Sequence, residues 1–215
     1  MTSAIGLFLN LVVRPPLRPA TQPSPLLVYG ASSAVGAFAI KLAKIANIHP
    51  IIGVAGSGSD FAKSIGADAV VDYRNNNVVQ DIKNALQEHA KGEKLLHVFD
   101  AISEGGSGKH IVEVADSGAT ITYVLQNAAD YESKEKKFNL IRTYVGDSHS
   151  KEDDSRRDFA FAYFRLISRW LGDGRLQAHP YEVVPGGLDG VIEGLKQLKE
   201  GKVSAKKLVF KVAQE

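Results

Sequence analysis

Leu26-Leu27-Val28-Tyr29 is an unbroken apolar run that stops at Gly30. Ala31 to Val35 are small or β-branched, and Gly36 then opens a segment in which Phe38, Ile40, Leu42 and Ile45 interleave with alanines. The pattern predicts a strand, a tight turn and a helix. Downstream, Ile51 to Val54 predicts a second strand, Phe61 to Ile65 a short helix and Ala69 to Asp72 a third strand. Val78 to His89 is amphipathic, with Val79, Ile82, Leu86 and His89 on one face. Leu95 to Asp100 predicts a fourth strand, Lys109 to Ala115 a helix, Ala119 to Leu125 a fifth strand and Phe138 to Val145 a sixth. Ahead of these, the apolar run Ile5 to Val13 predicts a helix packed on the body of the protein.

Strands that alternate with helices in this way predict an α/β fold, a doubly wound parallel sheet of the Rossmann type, because each parallel pair needs a crossover. Ligands bind such sheets at the carboxyl ends of the strands. That rule directs attention to Gly30 to Val35, Ala55 to Ser59, Tyr73, Asp100 to Ser103 and Tyr123 to Gln126.

The last third changes character. Ser155 to Leu171 predicts a long helix carrying Phe159, Phe161, Tyr163, Phe164 and Trp170, stopped by Gly172-Asp173-Gly174. Beyond Pro185-Gly186-Gly187, a helix over Leu188 to Lys199 is expected to turn Val191, Leu195 and Leu198 inward. Lys207 to Val212 alternates as a terminal strand, with no neighbour left over for it in the doubly wound part.

The first turn carries the candidate chemistry. Backbone N–H groups at a helix start lack intrahelical acceptors and carry the positive end of the helix dipole, which suits a pyrophosphate. With Gly36 as the glycine that packs helix on strand, Ala31 and Ser33 occupy the other two positions of a dinucleotide fingerprint. Taken alone, the turn also fits any buried strand-to-helix junction rich in alanine and serine. The end of the second strand bears on the cofactor. Ala55-Gly56-Ser57-Gly58-Ser59 has no acid until Asp60, where an NAD site normally places a carboxylate for the ribose. Serine hydroxyls and amides can donate to a 2′-phosphate that a carboxylate would repel, so NADP(H) is the expected cofactor. Capping of the helix before Phe61 accounts for Ser59 and Asp60 equally well.

Composition narrows the function classes. The 215 residues carry a formal net charge of +2, with 44% hydrophobic and 23% charged positions, which argues against a nucleic-acid or membrane surface. The chain has no cysteine, which suits a reducing compartment, and a cytoplasmic location is expected. The six histidines are scattered without metal spacing, so no metal site is expected.

Four stretches resemble the cofactor-binding part of the medium-chain dehydrogenase/reductase superfamily, in its zinc-free branch of quinone oxidoreductases and fungal trans-enoyl reductases. They are Tyr29 to Gly36, Ser64 to Tyr73, His97 to Ala101 and Gly201 to Val209. The resemblance implies pyrophosphate contacts at Gly30, Ser32, Ser33, Ala34 and Val35. It implies a place near the 2′-phosphate or adenine for Ser57 and Tyr73, and a wall near the nicotinamide from Tyr123, Val124 and Leu125. Val203 and Ser204 would approach from the tail. From the residues alone, Tyr73 is a strand-end aromatic packed on the loop of Asp72.

The resemblance also implies a division into a connecting helix and linker (1–22), a nucleotide-binding domain (23–171) and a remnant of a separate catalytic domain (172–215), whose main part would precede this chain. The implied activity is hydride delivery from NADPH to an activated double bond in an enone, quinone or enoyl thioester. This chain alone is expected to be inactive, and no catalytic residue is identified. Tyr123 and His149 read more readily as packing and surface residues than as proton donors. A non-catalytic NADP(H)-binding sensor or scaffold is the alternative. Pairing of two copies through Phe138 to Val145 is expected. Two other enzyme classes fail on the letters. No tyrosine among 123, 131, 144 and 163 has lysine four positions later, and Ser103 and His110 stand where a phosphate loop needs glycine and serine or threonine.

Overall fold

The computed structural model describes residues 1–126 and 128–212. Strand β1 (Leu26–Tyr29) lies at the centre of a six-stranded sheet, wholly buried and paired in parallel with β2 (Ile51–Ala55) and β4 (His97–Asp100). Strands β3 (Ala69–Asp72), β5 (Thr120–Tyr123) and β6 (Asn139–Arg142) complete the order β3-β2-β1-β4-β5-β6, every pairing parallel. The strand order reverses between β1 and β4, which opens a crevice at their carboxyl ends. This is the doubly wound arrangement that the alternation of runs predicts.

Each face of the sheet is covered. On one side, α1 (Thr2–Ala4), a π-helical turn (Ile5–Asn10), α2 (Ala34–Ile45) and α6 (Asp154–Gly172) bury Leu7, Ile40, Tyr163 and Trp170 in one core. On the other, α4 (Val78–Ala90) and α5 (Ser107–Val114) supply Ile82 and Ile111 to the second. The short α3 (Ser59–Ser64) links β2 to β3.

Element ends differ from the expectations where a side chain captures the backbone. Leu95 does not open β4, because its N–H donates to the Asp116 carboxylate at 2.8 Å. β5 stops at Tyr123, because the next N–H, of Val124, donates to Ser103 Oγ at 2.8 Å. The N-terminal helix ends at Asn10, capped by Leu11, rather than at Val13, and Val12 takes a left-handed φ of 53°.

The tail differs most. The terminal strand β8 (Lys207–Phe210) has a partner after all, β7 (Tyr181–Val184), and the two form a separate parallel pair joined through α7 (Gly190–Lys199). The inward face expected for α7 is also different. Gly190 and Gly194 are its buried positions, while Leu195 and Leu198 are exposed. A Cβ on Gly194 would stand 2.6 Å from Phe210 Cζ, so the close approach of helix to strand runs along the glycines. Among the described residues no helix is long and apolar enough to cross a membrane.

Candidate functional site

The turn after β1 is built by close backbone approach. Gly30 has a φ of +78°, and a Cβ there would stand 2.4 Å from Ile102 Cγ1. Both the Gly30 and Ala31 amides donate to the Val54 carbonyl at 2.9 Å, which folds the chain back against β2. A Cβ on Gly36 would stand 2.2 Å from the Gly30 oxygen, so only glycine lets α2 start this close to the strand. Ser33 caps the helix, its hydroxyl accepting from Gly36 N–H at 3.0 Å. By position, the amides of Ala34 and Val35 have no acceptor within the helix. The first turn of α2 can therefore receive an anion through its backbone.

This turn opens into a cavity of about 690 Å³. Gly30, Ser32, Ser33 and Ala34 form one wall; Gly56, Ser57 and Tyr73 form the second. Ile102, Glu104 and Gly105, in the loop after β4, supply the third. The tail closes the fourth side with His179, Val203, Ser204 and Lys206. Ser57 Oγ donates to Ser204 Oγ at 2.9 Å, tying the loop after β2 to the tail across a separation of 147 positions. Gly56 lies under the Tyr73 ring, where a Cβ would meet Cε1 at 2.8 Å. Eight of the twelve expected binding residues thus face one space.

The other four lie elsewhere. Val35 packs toward the core, and its carbonyl accepts from Ser3 Oγ at 2.8 Å. Tyr123 is buried against Tyr131, ring centroids 5.1 Å apart. Val124 is half-buried and Leu125 is exposed at the end of β5. None of the four lines the cavity. His149 is exposed at the end of a 3-10 turn (Val145–His149).

Sequence reasoning pointed to Asp100 as a strand end and missed its role in the third wall. Its fully buried carboxylate accepts four hydrogen bonds: from the Ile102 and Ser103 amides at 2.9 and 2.8 Å, from Ser107 Oγ at 2.6 Å and from the Tyr131 hydroxyl at 2.8 Å. Asp100 therefore fixes the loop that carries Ile102, Glu104 and Gly105. Burial, with the Asp100 charge adding to it, pushes the Tyr131 hydroxyl above its ordinary value. Tyr29 donates to or accepts from His110 Nδ1 at 2.9 Å, and burial pushes its hydroxyl up to about 12. Both phenols are held protonated near neutrality.

His179 was also missed as a wall residue. It is 8% exposed, its ring meets Phe61 edge-on at 5.4 Å, and its Nδ1 has no hydrogen-bond partner among the described residues. Burial and then the nearby charges of Lys41 and Lys207 lower its pKa from the usual imidazole range. A neutral ring is the stable form here.

Comparison with known proteins decides the family. The family model described as zinc-binding dehydrogenase matches residues 34–144, more than half of the chain. The chain belongs to this dehydrogenase family. It lies within the medium-chain dehydrogenase/reductase superfamily, and the relatives it resembles in sequence include trans-enoyl reductases. It is 35% identical over 191 residues to the trans-enoyl reductase fsr4 of Gibberella fujikuroi, covering 86% of this chain and 55% of that protein. It is 32% identical over 205 residues to the dual trans-enoyl reductase/FAD-dependent monooxygenase tazHJ of Aspergillus terreus, covering 91% of this chain and 29% of that one.

Among solved structures, CurA of Vibrio vulnificus in complex with NADPH superposes with a TM-score of 0.71 at 19% identity, over 100% of this chain and 62% of that one. The quinone oxidoreductase of Coxiella burnetii gives 0.71 at 16%, over 98% and 58%. At such identities the structures establish the shared fold. The chain spans little more than half of the length of fsr4. Despite the family description, no group of three or more His, Asp or Glu among the described residues could hold a metal ion.

Proposed function

We propose that this dehydrogenase-family chain is the NADP(H)-binding part of an oxidoreductase that reduces an activated double bond in an enone, quinone or enoyl thioester. One observation carries the reading. The amide-rich start of α2 opens into the same cavity as Ser57 and Tyr73, and the end of β2 offers that cavity hydroxyl and amide groups but no carboxylate. A dinucleotide needs this pairing of a diphosphate site with a ribose site. The Gly36 contact supports the fit, since it lets α2 start close against the strand, as the third glycine of a dinucleotide fingerprint does. The trans-enoyl reductase relatives and the NADPH complex of CurA support the reaction class and the cofactor.

The residues divide the work. The Ala34 amide faces the diphosphate, which Ser32 can approach with its hydroxyl. Ser57 and Tyr73 bound the adenosine end, and Val203 and Ser204 cover it from the tail. Bound NADPH supplies the hydride; the protein supplies orientation and exclusion of water. The Tyr29 hydroxyl, held at about 12, is a poor proton donor near neutrality, and the chain spans little more than half of the length of fsr4. Turnover is therefore expected to require parts beyond this chain.

The test is a fluorescence titration with NADPH and with NADH, followed by an assay with a small enone. NADPH should bind more tightly than NADH, with no measurable oxidation. Tighter binding of NADH would overturn the cofactor assignment, and turnover by this chain would overturn its dependence on other parts.

A further inference from the structure

The cavity is sparsely charged. The loop after β2 contains no lysine or arginine, and among the described residues the only full charges lining the cavity are Glu104 and Lys206. His179 is buried and favours its neutral form, so it does not supply the missing cation. Lys206 lies two positions beyond Ser204, whose hydroxyl is bonded to Ser57. Between them, Ala205 approaches the same loop: a Cβ on Gly58 would stand 3.3 Å from Ala205 Cβ and 2.4 Å from Ser32 Cβ. The tail thus spans from the adenosine side of the cavity to the diphosphate turn. Ala205 holds a left-handed φ of 56°, a conformation that L-residues adopt only where the surroundings impose it.

The Lys206 ammonium is paired with the Glu182 carboxylate of β7, and both side chains are more than a third exposed. An exposed pair of this kind holds weakly, whereas a phosphate offers more charge and several acceptor oxygens. A phosphate group entering the cavity can therefore take the lysine from the glutamate.

We propose that Lys206 is the phosphate-binding cation of this cavity and that it exchanges between Glu182 in the empty site and a phosphate of the dinucleotide in the loaded one. The inference rests on the NADP(H) reading above and extends it to the tail. It makes the β7–α7–β8 unit part of the cofactor site, coupled to loading through one ion pair. The phosphate is either the 2′-phosphate or the diphosphate, and the two sources are separable because NADH lacks the first.

The experiment titrates the whole chain and its Lys206→Met and Glu182→Gln variants with NADPH and with NADH. Lys206→Met keeps the aliphatic stem, and should weaken NADPH about tenfold. Loss for NADPH alone identifies the 2′-phosphate; an equal loss for NADH identifies the diphosphate. Glu182→Gln leaves the lysine in place and removes its competitor, so NADPH should bind about two- to threefold more tightly. Unchanged affinity of Lys206→Met for both dinucleotides, or weaker NADPH binding by Glu182→Gln, overturns the proposal while leaving the cofactor reading intact. Failure of the unmodified chain to bind NADPH overturns both.

Discussion

At the scale of single residues, Asp100 shows how a buried charge can shape a site without touching a ligand. Its two oxygens satisfy two backbone amides and two hydroxyls, and no solvent reaches it. Removing the carboxylate leaves all four donors without their acceptor. Removing one donor leaves the carboxylate with three. The penalties are therefore unequal: Asp100→Ala should cost about 3 kcal/mol, and Tyr131→Phe about 1 kcal/mol. Urea denaturation measures both. Asp100→Ala should also weaken dinucleotide binding, because the loop it fixes carries Ile102 and Glu104 into the cavity. Equal costs for the two variants would mean that the carboxylate is not the centre of the network.

At the scale of elements, the junction between the N-terminal turn and the sheet depends on a buried polar cluster. Asn10 Nδ2 donates to Thr143 Oγ1 at 2.8 Å, and Thr122 Oγ1 donates to the Ile141 carbonyl at 2.9 Å while lying 2.5 Å from Thr143 Oγ1. The π-helical turn can sit this close because Gly6 has no side chain; a Cβ there would stand 2.3 Å from Phe99 Cε2. Asn10→Ala should lower stability by about 2 kcal/mol with the denaturant slope unchanged, since one anchored turn is loosened and the fold retained. A changed slope would point to a wider rearrangement. The sheet itself was legible in the sequence because buried parallel strands read as continuous apolar runs, as at Leu26 to Tyr29 and Ile51 to Val54. The glycine turn and the small, uncharged end of β2 were legible as local signals. What stayed hidden depends on contacts distant in sequence. Ser103 ends β5 from 21 positions away, Tyr131 reaches Asp100 across 31, and Lys206 meets Glu182 across 24. β7 was missed because four residues between Pro180 and Pro185 carry too short a pattern to separate from a loop.

At the scale of the whole molecule, packing α7 through its glycines has a cost on the outer side. Leu188, Ile192 and Leu195 are 70%, 75% and 57% exposed, and Tyr181 and Val183 of β7 are exposed as well. An apolar surface of this kind favours association in water. A second surface could also join copies, since β6 is one of the two edge strands of the sheet. The two routes predict different responses to one variant. Ile192→Glu combined with Leu195→Lys places charge on the helix without touching its buried glycines, so the unfolding free energy should stay within about 0.5 kcal/mol of the parent. If α7 carries the association, light scattering across a concentration series should show the parent growing in mass and the variant remaining monomeric. If edge strands pair instead, backbone groups of β6 do the joining and the variant should associate as the parent does. We expect the first outcome: the exposed positions on α7 are large apolar side chains, whereas β6 presents exposed Asn139 and Arg142 at its ends, and a charged residue on an edge strand opposes pairing.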